Sequence, residues 1–134
     1  MSNTIEQLSV NQIPVTNSGA DSRFGDLIFE EGFLGTAADF QDLTAADTKG
    51  IAADAVGMID ISDDRIISTQ QIKAAQTFTV QTLCYFDSAT RTITDSNDTD
   101  CVVCGYITEK IGGTETALKI KLLPQSGALV PTPA

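Results

Sequence analysis

Apolar and polar residues alternate most regularly between Thr77 and Leu122, with the two-residue period of strands that bury one face. Thr77-Phe78-Thr79-Val80 alternates, and Leu83-Cys84-Tyr85-Phe86 continues as a short apolar run, so both read as strands. Asp87-Ser88-Ala89-Thr90 supplies a turn, Arg91 to Thr94 the next strand, and Asp95 to Asp100 a loop whose small polar side chains bond to nearby backbone. Cys101 to Ile107 is a nearly continuous apolar run. After Gly112-Gly113, Leu118-Lys119-Ile120-Lys121-Leu122 sets three apolar residues against two lysines. Phe78, Leu83, Phe86, Ile107, Ile120 and Leu122 are the core residues this pattern predicts.

Upstream the pattern is less regular. Leu27-Ile28-Phe29 and Phe33-Leu34 flank Glu30-Glu31-Gly32 and predict a hairpin; Val56 to Ile61 and Arg65 to Thr69 predict strands on either side of a turn at Asp63-Asp64. From Ala38 to Ala55 alanine becomes frequent, and Thr44-Ala45-Ala46-Asp47 has the form of an N-cap followed by an acid, which predicts a short helix or an ordered loop. Residues 1–22 are polar, broken by Pro14 and Gly19, and read as an N-terminal arm or a mobile tail. Their spaced apolar residues Ile5, Leu8, Val10, Ile13 and Val15 are candidate assembly contacts, because an extended segment can add to another chain's sheet edge. Residues 124–134, with Pro131 and Pro133, are expected to be an extended tail. The expected fold class is mainly β: a small single-domain β-barrel-like or β-sandwich body over residues 23–123, with the arm before it and at most one short helix.

The 134-residue chain is long enough to bury a core without metals or disulfides, and it holds no apolar run of the roughly 20 residues that span a membrane. Met1 to Glu6 contains neither a basic residue nor an apolar stretch, so secretion is not expected. The net charge of −10 is concentrated: eleven acidic residues between Asp21 and Asp64 face only Arg23 and Lys49. Such a field repels phosphates, which argues against nucleic acid as a partner and leaves a solvated acidic face or a surface for cations or a basic partner.

Histidine is absent, which removes the commonest general base, the Ser-His and Cys-His pairs and most zinc sites. Cys101 and Cys104 have C-x-x-C spacing but fall in a strand-like run. There they would face opposite ways about 10 Å apart, too far for a bridge, so the three cysteines are expected to be reduced and structural. The Asp95–Asp100 loop lacks the glycine and glutamate of a calcium-binding EF-hand, with Asp100 and Tyr106 at those positions. Asn97-Asp98-Thr99 is a glycosylation sequon only in form, given the absence of a secretory route. Phosphate-cradling loops and nucleophile elbows are missing, so neither a catalytic site nor a cofactor is expected.

The order of segments resembles that of small capsid cement, or decoration, proteins of tailed bacteriophages. Gly25-Asp26-Leu27-Ile28 looks like that family's Gly-Asp strand entry, Leu34-Gly35-Thr36-Ala37 like its Gly-Val-Ala corner, and Gly57-Met58-Ile59-Asp60-Ile61 like its third element. Thr82 to Asp87 is similar to its Gly-Asp-x-Val-Tyr-x-Asp strand, with Gln81 replacing the glycine; Cys104-Gly105-Tyr106-Ile107 and Leu118 to Leu122 resemble the last two strands. The resemblance implies a β-barrel-like body on the outer surface of a phage head, made in the host cytoplasm, bound to the major capsid protein as a homo-trimer and reinforcing the shell. The alternative is a virion-surface or tail-associated host-binding module, for which the absence of tryptophan and the placement of Tyr85 and Tyr106 in apolar runs offer little.

Overall fold

The computed structural model describes residues 11–62, 65–74, 76–111 and 117–123. These residues form strands and no helix. In chain order the strands are β1 (Gln12–Thr16), β2 (Ser22–Arg23), β3 (Leu27–Glu30), β4 (Phe33–Ala37), β5 (Gln41–Asp42), β6 (Lys49–Ile51), β7 (Val56–Asp60), β8 (Ile66–Thr69), β9 (Leu83–Asp87), β10 (Thr92–Thr94), β11 (Cys101–Ile111) and β12 (Ala117–Leu122). They build a four-stranded sheet ordered β1-β7-β4-β3, a five-stranded sheet ordered β10-β9-β11-β12-β8 that curls into a half-barrel, and a small sheet ordered β2-β6-β5. All strand pairs within the sheets are antiparallel.

The four-stranded sheet buries residues on both faces. Register pairs Leu27 with Thr36 and Phe29 with Leu34, so these share one face, while Ile28 and Ala37 lie on the other. Leu27, Phe29 and Leu34 pack into the main core with Phe78, Cys84, Phe86, Ile93, Val102, Cys104, Ile107, Leu118, Ile120 and Leu122. Ile28, Ala37, Val15 and Ile59 form a second, smaller core with Ile51 of β6. A strand whose two faces are both covered reads as a continuous apolar run, which is why Leu27-Ile28-Phe29 lacks alternation.

The hairpin between β3 and β4 turns through Glu31 and Gly32 at φ 55° and 87°, the double left-handed conformation of a tight type I′ turn. In β12 the expected alternation holds: Leu118, Ile120 and Leu122 are buried and Lys119 and Lys121 exposed. The half-barrel curls where β11 carries register shifts, at Val103/Gly105 against β9 and at Ile107/Glu109 against β12, because the extra residue bends the strand. Free edge β3 is clasped by a side chain. Gln71 accepts from the Leu27 N–H at 2.7 Å and donates to the Leu27 carbonyl at 3.0 Å, so its amide stands in for a strand partner.

Of the two readings open for residues 38–55, the ordered loop holds: Thr44 to Asp47 form the turn of the β5–β6 hairpin, braced by Asp21, which accepts from Thr44 N–H at 2.8 Å and Ala53 N–H at 2.9 Å. Three expectations change. Thr77–Val80 is not a strand, although Phe78 is buried in the main core. Leu83 is exposed, since Phe86 lies three residues further along the same strand and an odd separation puts the two on opposite faces. The sheet begins at Gln12, not at residue 23: β1 pairs with β7 from Gln12↔Asp60 to Thr16↔Val56. The expected turn at Asp63-Asp64, Gly112-Gly113 and the tail 124–134 lie outside the described residues.

Candidate interaction surface

Where the half-barrel meets the smaller sheets, a polar network replaces apolar packing. Asn17, fully buried, donates through Nδ2 to the carbonyls of Ala20 at 2.9 Å and Ile51 at 3.1 Å, and its Oδ1 accepts from Arg91 Nη2 at 2.6 Å. Arg91 also donates through Nη1 to Ser22 Oγ at 2.6 Å and the Ala20 carbonyl at 2.9 Å, and its Nη2 lies 3.5 Å from Glu30 Oε1. Ser18 Oγ donates to that same Glu30 oxygen at 2.6 Å. An open cleft of about 530 Å³ lies above these residues. With the Ser18 hydroxyl held by Glu30 and the guanidinium held by four acceptors, the arrangement is a clasp between β2, β3 and the turn before β10.

A second cleft, of about 550 Å³, opens between β8 and the outer part of the four-stranded sheet. Gln12, Asp60 and Thr36 form a lateral row across β1, β7 and β4 and make one wall. Ile67 and Ser68 of β8 make the other, and Arg65 lies between, donating to Thr36 Oγ1 at 3.2 Å and to the Asp60 carbonyl at 3.0 Å. At one end Phe24 and Phe40 stack with ring centroids 4.5 Å apart, yet they stay 53% and 68% exposed. The stacked, exposed phenyl rings give this cleft an apolar end open to a partner. Nothing in the sequence signalled the pair: the two residues are sixteen apart, in segments with no shared pattern.

The acidic segment is less uniform than its composition suggests. The amides of Thr44 and Ala53 hold the Asp21 carboxyl below its ordinary value. Burial pushes Asp26 up. Burial also acts to raise Asp60, but hydrogen bonds from the Ser62 hydroxyl and N–H, with the Arg65 charge, bring it below the usual value. Lys49 lowers Asp42 through a hydrogen bond and its charge. Asp39 accepts the Met58 N–H at 3.0 Å. Several of these acids therefore brace backbone, and among the described residues no three His, Cys, Asp or Glu side chains are grouped so as to hold a metal.

All three cysteines are free and buried. Cys84 and Cys104 meet in the main core, where their mutual hydrogen bond and burial raise the Cys104 thiol well above its ordinary value; Cys101 lies outside that cluster. Raised in this way in an apolar core, the Cys104 thiol is a poor nucleophile.

Among the candidate assembly contacts, Val15 is buried and belongs to the second core, and Ile13 is half-buried against it. Val15 is therefore occupied within this chain and not available as a contact. Ile5, Leu8 and Val10 lie outside the described residues. No family model, curated protein or solved structure matches the chain.

Proposed function

We propose that this chain is a capsid cement protein, binding the outer surface of a tailed-phage head and stabilising the shell against internal pressure. The observation that carries the reading is the ordered series of glycine-marked strands from Gly25 to Leu122, set on a mainly β body. Two of those glycines occupy places that demand glycine. Gly25 turns at φ 89°, and a Cβ on Gly105 would collide with the Lys121 backbone across the β11–β12 ladder.

The mechanism is linkage. A protein that binds only the assembled shell stabilises it by RT ln(1 + [L]/Kd), about 2.7 kcal/mol per site at a hundred times Kd, repeated over every site. A contact burying on the order of 1,600 Å² suffices. The partner is the major capsid protein, the bound form a homo-trimer, and the location the outer face of the virion. Sedimentation of the purified protein with undecorated shells, followed by electron microscopy, tests this: regular copies across the shell are expected, and failure to co-sediment overturns it.

A second reading, a virion-surface or tail-associated host-binding module, is favoured by the exposed Phe24–Phe40 stack beside a cleft. Copies confined to one vertex or to the tail in the same micrographs would select it.

A further inference from the structure

An antiparallel sheet that buries one face ordinarily turns polar side chains to water on the other. The half-barrel departs from that rule along one line. Register sets Ile66 of β8 beside Lys121 of β12, Lys121 beside Tyr106 of β11, and Tyr106 beside Leu83 of β9, so these four side chains form a row on one face of the sheet. It is the outer face, because the alternate residues Ile67, Ile120 and Ile107 pack into the main core. Three of the four are apolar and exposed, Ile66 at 62%, Tyr106 at 44% and Leu83 at 37%. Val80, also exposed, shares with Tyr106 the wall of a hollow of about 270 Å³. The row crosses three strand spacings, about 14 Å, and apolar side chains gathered in this way on a solvated face mark a docking surface.

What else the chain exposes points to the partner. Among the described residues the other exposed large apolar side chains are Phe24, Phe40 and Val56, and Gln41, next to Phe40, donates to the Val56 carbonyl. This second patch belongs to the acidic segment, with Asp26, Asp39 and Asp42 close to the phenyl pair in the chain. The row on the half-barrel carries the opposite sign: Lys119 and Lys121 are exposed on β12, with Glu109 paired to Lys119 at 3.0 Å. We propose that the two patches meet between copies of this chain, Phe24 and Phe40 of one molecule packing on the Ile66, Tyr106 and Leu83 row of the next, with Lys121 brought to the acids beside the phenyl pair. Two different patches in contact make a heterologous interface, the kind that closes a ring of three, whereas a patch that pairs with itself stops at two. The inference rests on the homo-trimer of the cement reading for the number of copies, but the contact needs no shell. The net charge of −10 opposes association at long range, yet it is screened beyond about 8 Å at physiological salt, whereas the lysines and acids meet at contact.

Analytical sedimentation of the free, full-length protein tests the contact without shells, so its failure and a failure of shell binding are told apart. At about 100 μM the unaltered chain should sediment as more than a monomer. The double variants Leu83→Ser/Tyr106→Ser and Phe24→Ser/Phe40→Ser each alter one patch and should sediment as monomers with their unfolding transitions kept, since all four side chains are exposed. Mixed in equal amounts, the two variants should form a dimer and nothing larger, because one intact row then meets one intact phenyl pair. Lys121→Glu leaves every apolar contact in place and should weaken association at least about tenfold, which keeps the test decisive should a double variant fold poorly. An unaltered chain that stays monomeric overturns the proposal and leaves the row to a different protein. A mixture that stays monomeric while the unaltered chain associates also overturns it, as does association unchanged by Lys121→Glu or by either double variant.

Discussion

The two cores are stabilised in different ways. Among the described residues, the main core joins the half-barrel to one face of the four-stranded sheet with twelve buried apolar residues, while the second core has five and is ringed by side chains that bond to backbone. Asn17 bonds the Ala20 and Ile51 carbonyls, Asp21 the Thr44 and Ala53 amides, and Gln41 donates to the Val56 carbonyl at 2.8 Å and accepts the Ala52 N–H at 3.1 Å. Where strands are two or three residues long and cannot bury much apolar area, polar side chains supply the positioning that packing supplies elsewhere.

If that contrast is right, the largest single effect belongs to the main core. Phe86→Ala should cost about 3–5 kcal/mol in denaturant unfolding, and Ile120→Ala about 2–5 kcal/mol, since both are fully buried. A loss below about 1 kcal/mol at Phe86 would mean that this core is loosely packed.

In the second core the polar bonds should matter more than any exposed apolar group. Asn17→Ala removes one of the four acceptors of Arg91 and the side-chain bonds to the Ala20 and Ile51 carbonyls, and should cost about 1–3 kcal/mol. Hydrogen exchange should then quicken in β6 before it does in β11. Uniform quickening across both strands would show a single cooperative unit and erase the distinction between the cores.

A smaller effect is read in pH. The folded-state value of Asp60 lies below 3.8, so its contribution is fully present above 3.8 and is lost as pH falls through the lower folded value. Asp60→Asn removes that dependence, and the stability gap between the two proteins should narrow below pH 3.8. A gap that stays constant across an acid titration would show that the carboxylate's charge contributes nothing. Least of all should Lys121→Ala matter, within about 0.5 kcal/mol, because the side chain projects into water beside the buried Ile120. A Lys121 effect as large as that of Ile120→Ala would overturn the face assignment of β12.

The sequence by itself determined the strands that bury one face and pair with near neighbours. The β3–β4 hairpin follows from Glu30-Glu31-Gly32, β12 from its alternation, and β9, β10 and β11 from apolar runs separated by polar turns, because each of these signals is local and period two. It also placed the free thiols in apolar surroundings. Tertiary structure decided what depends on distant partners. Gln12–Thr16 looks like an arm until β7 supplies its hydrogen bonds, and residues 38–55 leave a short helix and an ordered loop both open until Asp21 captures two of their amides. Phe78 is buried without belonging to a strand, and Leu83 is excluded from the core by the parity of its own strand. The cleft between β8 and the row Gln12–Asp60–Thr36 exists only once two sheets are set side by side. No local pattern encodes it, because its walls come from segments whose spacing in the chain carries no period.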